Sequence, residues 1–147
     1  MRRGLHARAV RLLDEVMCAD PQIRADLKID LRYRAACCAA RAGTDVVPER
    51  PLDDTERAAL RQQAVGWLRE DLDSWRAYLK SDNPQALART GRTLEQWLST
   101  KELAKLRDPE HLALLPSEER ARCESLWRDV RDALAGIQPT ESRESRR

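Results

Sequence analysis

Phenylalanine is absent from this chain, and aromatic residues make up only 4% of its 147 positions. Whatever bulk the interior has must therefore come from four tryptophans and from aliphatic side chains, since an indole buries more area than any other side chain. Histidine is nearly absent too, with only His6 and His111. The four cysteines, Cys18, Cys37, Cys38 and Cys123, include no CxxC pair. Zinc sites are assembled from closely spaced Cys and His ligands, so no metal site is expected. Excess charge of one sign is missing as well: 27 basic and 25 acidic residues leave a net charge of +2, and the signs interleave. That pattern predicts a solvated surface and excludes the one-sided basic face of a nucleic-acid binder. No stretch approaches the roughly 20 apolar residues of a membrane span. Residues Met1-Arg2-Arg3-Gly4 run into charged positions rather than an apolar segment, so no secretory leader is expected. The cysteines then read as reduced thiols, and the expected location is cytoplasmic.

What remains is dominated by alanine, leucine, arginine and glutamate, residues that lose little freedom in a helix. The expectation is an all-α chain with no strand, forming one domain over residues 1–138, because this length allows a single modest core. Leu5, Ala9, Leu12, Leu13, Val16 and Met17 recur at three- and four-residue steps and predict a first helix ending at Asp20-Pro21. A second helix is expected over Asp30–Ala42, rich in small residues, with Gly43 as its left-handed stop. Residues 44–54 contain Pro48 and Pro51 and read as a loop. Asp53 or Asp54 should cap a long helix whose stripe is Leu60, Ala64, Trp67, Leu68, Asp71 or Leu72, Trp75 and Leu79. Asn83-Pro84 begins the next helix, with Leu87, Leu94, Trp97 and Leu98 on one side. Short helical pieces follow between Lys101 and Leu115, broken at Asp108-Pro109. Pro116-Ser117 opens a last helix carrying Cys123, Leu126, Trp127, Val130 and Leu134. Residues 139–147, from Pro139 on, have nothing to bury and read as a disordered tail.

Several of these patterns together resemble a known family. The first helix places Ala9, Leu13, Val16 and Pro21 as the second helix of a tetratricopeptide repeat does, and the next sets Ala35-Ala36 at a close-packing pair. Ala64 and Leu68 resume the second-helix pattern, with Asp71 in place of the usual third residue. The order Tyr33, Ala35-Ala36, Leu60, Ala64, Trp67-Leu68, Trp75, Trp97, Leu103, Asp108-Pro109, Leu115-Pro116 and Leu126-Trp127 is similar to the C-terminal region of large bacterial serine/threonine protein kinases that carry such repeats. The resemblance covers roughly residues 5–135. It implies TPR-like helical hairpins at the end of an α-solenoid, followed by a helical cap: half a repeat over 5–21, a modified repeat over 29–80 and capping helices over 84–137. Kinase catalysis does not carry over. The chain has no glycine-rich phosphate loop and no HRD triplet, and a DFG motif is impossible without phenylalanine.

The residues that could carry chemistry have plainer readings. The aromatics Tyr33, Trp67, Trp75, Trp97 and Trp127 sit on the apolar sides of expected helices and read as core anchors rather than a ligand cage. Cys37 and Cys38 project about 100° apart on a helix and cannot easily share one tetrahedral metal. Asp53-Asp54 and Glu118-Glu119 stand at helix starts, where the dipole favours negative charge. No catalytic residue, cofactor or metal is therefore expected. The function expected is that of a non-catalytic interaction or scaffold module, without a nucleic-acid or membrane partner. Its candidate face is Leu5, Ala9, Leu12, Leu13 and Val16, which lack the cover that a preceding repeat helix would give, so self-association or a protein partner is expected there. The alternative is a truncated remnant of a kinase–repeat gene with no activity of its own.

Overall fold

The computed structural model describes residues 5–44 and 53–144, with side chains over 8–44 and 53–137. Among the described residues every regular element is helical and none is a strand. The order is α1 (Leu5–Ala19), α2 (Pro21–Ala25), α3 (Leu31–Thr44), α4 (Asp54–Tyr78) and α5 (Pro84–Ser99). A 3₁₀ turn at Lys101–Leu103 leads into α6 (Ala104–Arg107), α7 (Pro109–Leu112) and α8 (Ser117–Glu144).

Side-chain caps explain most of the boundaries. The Asp20 carboxylate accepts from the amides of Gln22 and Ile23, which ends α1 and starts the short α2, an element without its own hydrophobic period. Asp26 accepts from the Lys28 and Ile29 amides, and Asp30 turns the chain into α3 through a left-handed φ of 64°. Aspartate tolerates that region better than most side chains. Asp53 accepts from the Glu56 amide at 2.7 Å and caps α4, and Asn83 caps α5 through the Gln85 amide. The loop read over 44–54 lies mostly outside the described residues.

Two expectations are corrected. Gly43 is not a left-handed stop: it is helical and buried inside α3, which continues to Thr44. A Cβ there would lie 2.8 Å from Arg61 Cγ and 2.9 Å from the Arg57 carbonyl oxygen, so glycine is required by the approach of α4. At the other end, the tail reading stopped the last helix before Pro139, whereas the α8 backbone is helical to Glu144. A helical proline forfeits one backbone hydrogen bond but need not end the helix. Residues 145–147 lie outside the described residues.

α3 and α4 run antiparallel, with Gly43 beside Arg57 and Arg61 at one end and Arg32 beside Glu70 and Ser74 at the other. Ala35, Ala36, Ala39 and Ala40, all buried, form the α3 surface that lets neighbouring helices approach closely. α4 and α8 run parallel, because Arg61 meets Glu119 while Arg69 meets Asp129 further along both. One apolar core joins Val10 and Met17 of α1, the α3 alanines, the α4 stripe, and Leu126, Trp127 and Val130 of α8.

Candidate functional site

On α1 the apolar residues divide between two faces. Val10 and Met17 are buried and Leu13 packs against the core, so this side of α1 is covered, chiefly by α3. Leu12 is 62% exposed and Val16 43% exposed, one turn apart on another side of the helix. Ala9 is half-buried, and the Leu5 side chain lies outside the described residues. The candidate face is thus narrower than the sequence suggested. Val10 takes an inward position that spacing alone did not assign, while Leu13 turns inward. Arg8 and Arg11 toward the start of the helix and Glu15 toward its end are exposed.

The aromatic anchors are drawn inward. Trp67 and Trp75 are 4% exposed, Trp97 and Trp127 1%, and Tyr33 is half-buried. Tyr33 stacks on Trp97 with centroids 5.7 Å apart, and its hydroxyl shares a 2.8 Å hydrogen bond with that of Thr100. Trp127 donates Nε1–H to the Leu106 carbonyl at 2.8 Å, while Arg107 lies over its ring and donates to the carbonyls of Trp97 and Thr100. These contacts hold α5, α6 and α8 together. They leave the tryptophans in the interior rather than around an open cage.

The charged interior is built on Asp71, which is 1% exposed. Its partner is Arg32, whose Nε stands 2.7 Å from Oδ1, and not the exposed Arg34. The Arg32 Nε–H does not point well at that oxygen, and Asp71 Oδ2 and the neighbouring Trp75 Nε1 have no hydrogen-bond partner among the described residues, so this is a charge contact rather than a well-formed bond. Burial pushes the Asp71 carboxyl up to about 7 despite the cation beside it. Arg32 also donates to Glu70 and to Ser74 Oγ, and Arg24 donates to Glu70 twice, tying α2 and α3 to α4. Burial raises the Glu70 carboxyl, but hydrogen bonds from Arg24 and Arg32 outweigh it and leave the group below its usual range.

Three of the four thiols, Cys37, Cys38 and Cys123, are poor nucleophiles in this arrangement. Burial pushes Cys37 up to about 12 and Cys123 up to about 11, and raises Cys38 as well, so all three stay protonated near neutrality. Asp108, Glu110 and His111 bring three ligand atoms within 4.8 Å of one another. They are consecutive or nearly so in sequence, and one Asp108 oxygen already accepts from Arg107 at 3.1 Å.

A cleft of about 430 Å³ opens between α4 and α8. Its apolar surface is supplied by Val65, Leu106, Leu115 and Cys123, with Gly66 leaving an opening in the α4 wall. Of these residues the sequence period singled out only Cys123, as an apolar position of the last helix. The only other signal was a glycine in the middle of a long helix, and its meaning depends on what faces it. Comparison of the chain with protein-family models, with curated proteins and with solved structures returns no match.

Proposed function

We propose that this chain is a non-catalytic protein-interaction module that associates with a second copy of itself through the exposed stripe of α1. The observation that carries the reading is the pair Leu12 and Val16, large apolar side chains left 62% and 43% exposed on one side of a helix whose other side is buried. With Ala9 and Leu5 they follow steps of four, three and four residues, the spacing of a helix–helix seam. Charge favours an antiparallel pairing. Arg8 and Arg11 at one end of the stripe would stand opposite Glu15 of the other copy, an arrangement that a two-fold axis repeats twice. The resemblance to the terminal repeat region of bacterial kinases agrees with a scaffold role and assigns no chemistry.

Sedimentation equilibrium of the purified chain tests this. Expected is a concentration-dependent dimer that Leu12→Asp with Val16→Asp converts to monomer without loss of helical circular dichroism. A wild-type chain that stays monomeric across the micromolar range sinks the proposal. Sustained ATP turnover by the pure protein, persisting with no contaminating enzyme present, would overturn its non-catalytic part.

A further inference from the structure

We infer that the α4–α8 cleft is a binding site for a small amphipathic anion, a molecule with a compact apolar body and a single carboxylate-type head. Two ion pairs bound the cleft along its length. At one end Arg61 grips Glu119 with two hydrogen bonds of 2.8 and 3.0 Å; at the other Arg69 reaches Asp129 and Ser125. Arg61 and Arg69 are eight residues apart on α4, so the window between the straps is about 12 Å long at 1.5 Å per helical residue. A partner helix laid along the cleft would run into both straps. A small molecule fits between them, and about 430 Å³ lies within the range of small-ligand pockets.

The chemistry of the walls selects the body. Val65, Leu106, Leu115 and a protonated Cys123 offer no charge and no strong hydrogen-bonding group, so the depth of the cleft favours hydrocarbon. The rim selects the head. Arg61 is neutralised by Glu119 and Arg69 by Asp129, which leaves Arg122 as the lining cation with no ion-pair partner among the described residues. Gln62, exposed on the opposite wall, adds amide donors. Glu118, one turn before Arg122, does not line the cleft. A head group with one negative charge would pair with Arg122, while a cationic head would meet the excess guanidinium charge. Gly66 completes the site by omission: a Cβ there finds nothing within 4 Å, so the space in front of it is available to a ligand.

None of these residues belongs to α1, so this inference and the proposed self-association fail independently. Titration calorimetry of the full chain with decanoate, held below its micellar concentration, should give saturable one-site binding. Decyltrimethylammonium, with the same body and a cationic head, should bind about ten-fold more weakly. Gly66→Leu places a side chain in the open space and should abolish decanoate binding while the melting temperature stays at or above that of the unaltered chain. Arg122→Glu should reverse the head-group preference. Absence of decanoate binding overturns the inference. So does equal affinity for the cation, or undiminished binding by Gly66→Leu. An apolar acidic peptide that binds the cleft where decanoate does not would show the ligand class to be wrong.

Discussion

Gly43 and Gly66 are both helical glycines, yet a methyl group has opposite consequences at the two positions. At Gly43 it would press on the Arg57 carbonyl and on Cγ of Arg61, whose guanidinium is held by Glu119 and the Gly43 carbonyl. Gly43→Ala should cost about 1–3 kcal/mol, the usual range for overpacking. Gly66→Ala meets open space and should gain about 0.5–1 kcal/mol from helix propensity alone. Urea denaturation of both variants checks the pair, and equal effects would show the helix contact at Gly43 to be misjudged. Asp71 makes a second prediction at this scale. Its folded carboxyl is pushed up to about 7, above the unfolded range near 4, so between those values the folded state holds the extra proton. Stability should therefore fall as pH rises across that window, by up to about 1.4 kcal/mol per pH unit. Asp30, raised by burial, acts in the same direction, whereas Glu70 is lowered and loses its contribution only at more acid pH. Asp71→Asn should flatten the slope, measured as melting temperature against pH from 4 to 8; an unchanged slope would place its origin elsewhere. The sequence put Asp71 on the inner stripe of its helix. It did not reveal the partner, because Arg32 and Arg34 differ only in which way α3 is turned.

Between elements, the Arg61–Glu119 pair is the firmest link of α4 to α8. The two side chains are 14% and 11% exposed, and the guanidinium also donates to Gly43 of α3. Three helices thus meet on one arginine. Glu119→Ala leaves that cation buried without its carboxylate and should cost about 3 kcal/mol, whereas Arg61→Met with Glu119→Leu should cost much less because no charge is stranded. A double-mutant cycle by chemical denaturation distinguishes this from a surface pair, for which the coupling would be below about 1 kcal/mol. From sequence, Glu119 reads as an acidic residue in a helix's first turn, and it occupies that place. Its second role was invisible because the residues it joins are 58 apart. Helix positions were more legible: Asp53, Asn83-Pro84 and Asp20-Pro21 all mark real boundaries, since a cap acts within three residues. The short α2 was not foreseen, because five residues carry too little pattern to announce a helix.

Across the whole molecule, one contiguous core joins side chains from α1 to α8, with Trp97 and Trp127 fully enclosed. Unfolding should then be a single cooperative event, with tryptophan fluorescence and far-ultraviolet circular dichroism changing at the same denaturant concentration. Separated transitions would mean that the α1–α4 part and the α5–α8 part melt as distinct units. The all-helical character was determined by sequence alone: alanine, leucine and arginine favour helix locally, β-branched residues are few, and caps act over a few residues. The tryptophans were equally legible as interior groups, because in a chain without phenylalanine they are the largest apolar side chains available to a core otherwise built of aliphatic ones. Only the tertiary structure decided which face each helix turns inward. That choice left Leu12 and Val16 outside, bound Asp71 to Arg32 and set an opening beside Gly66. Periodicity defines a helical stripe to within a residue or so, about 100° of rotation, and that is the difference between a buried side chain and an exposed one.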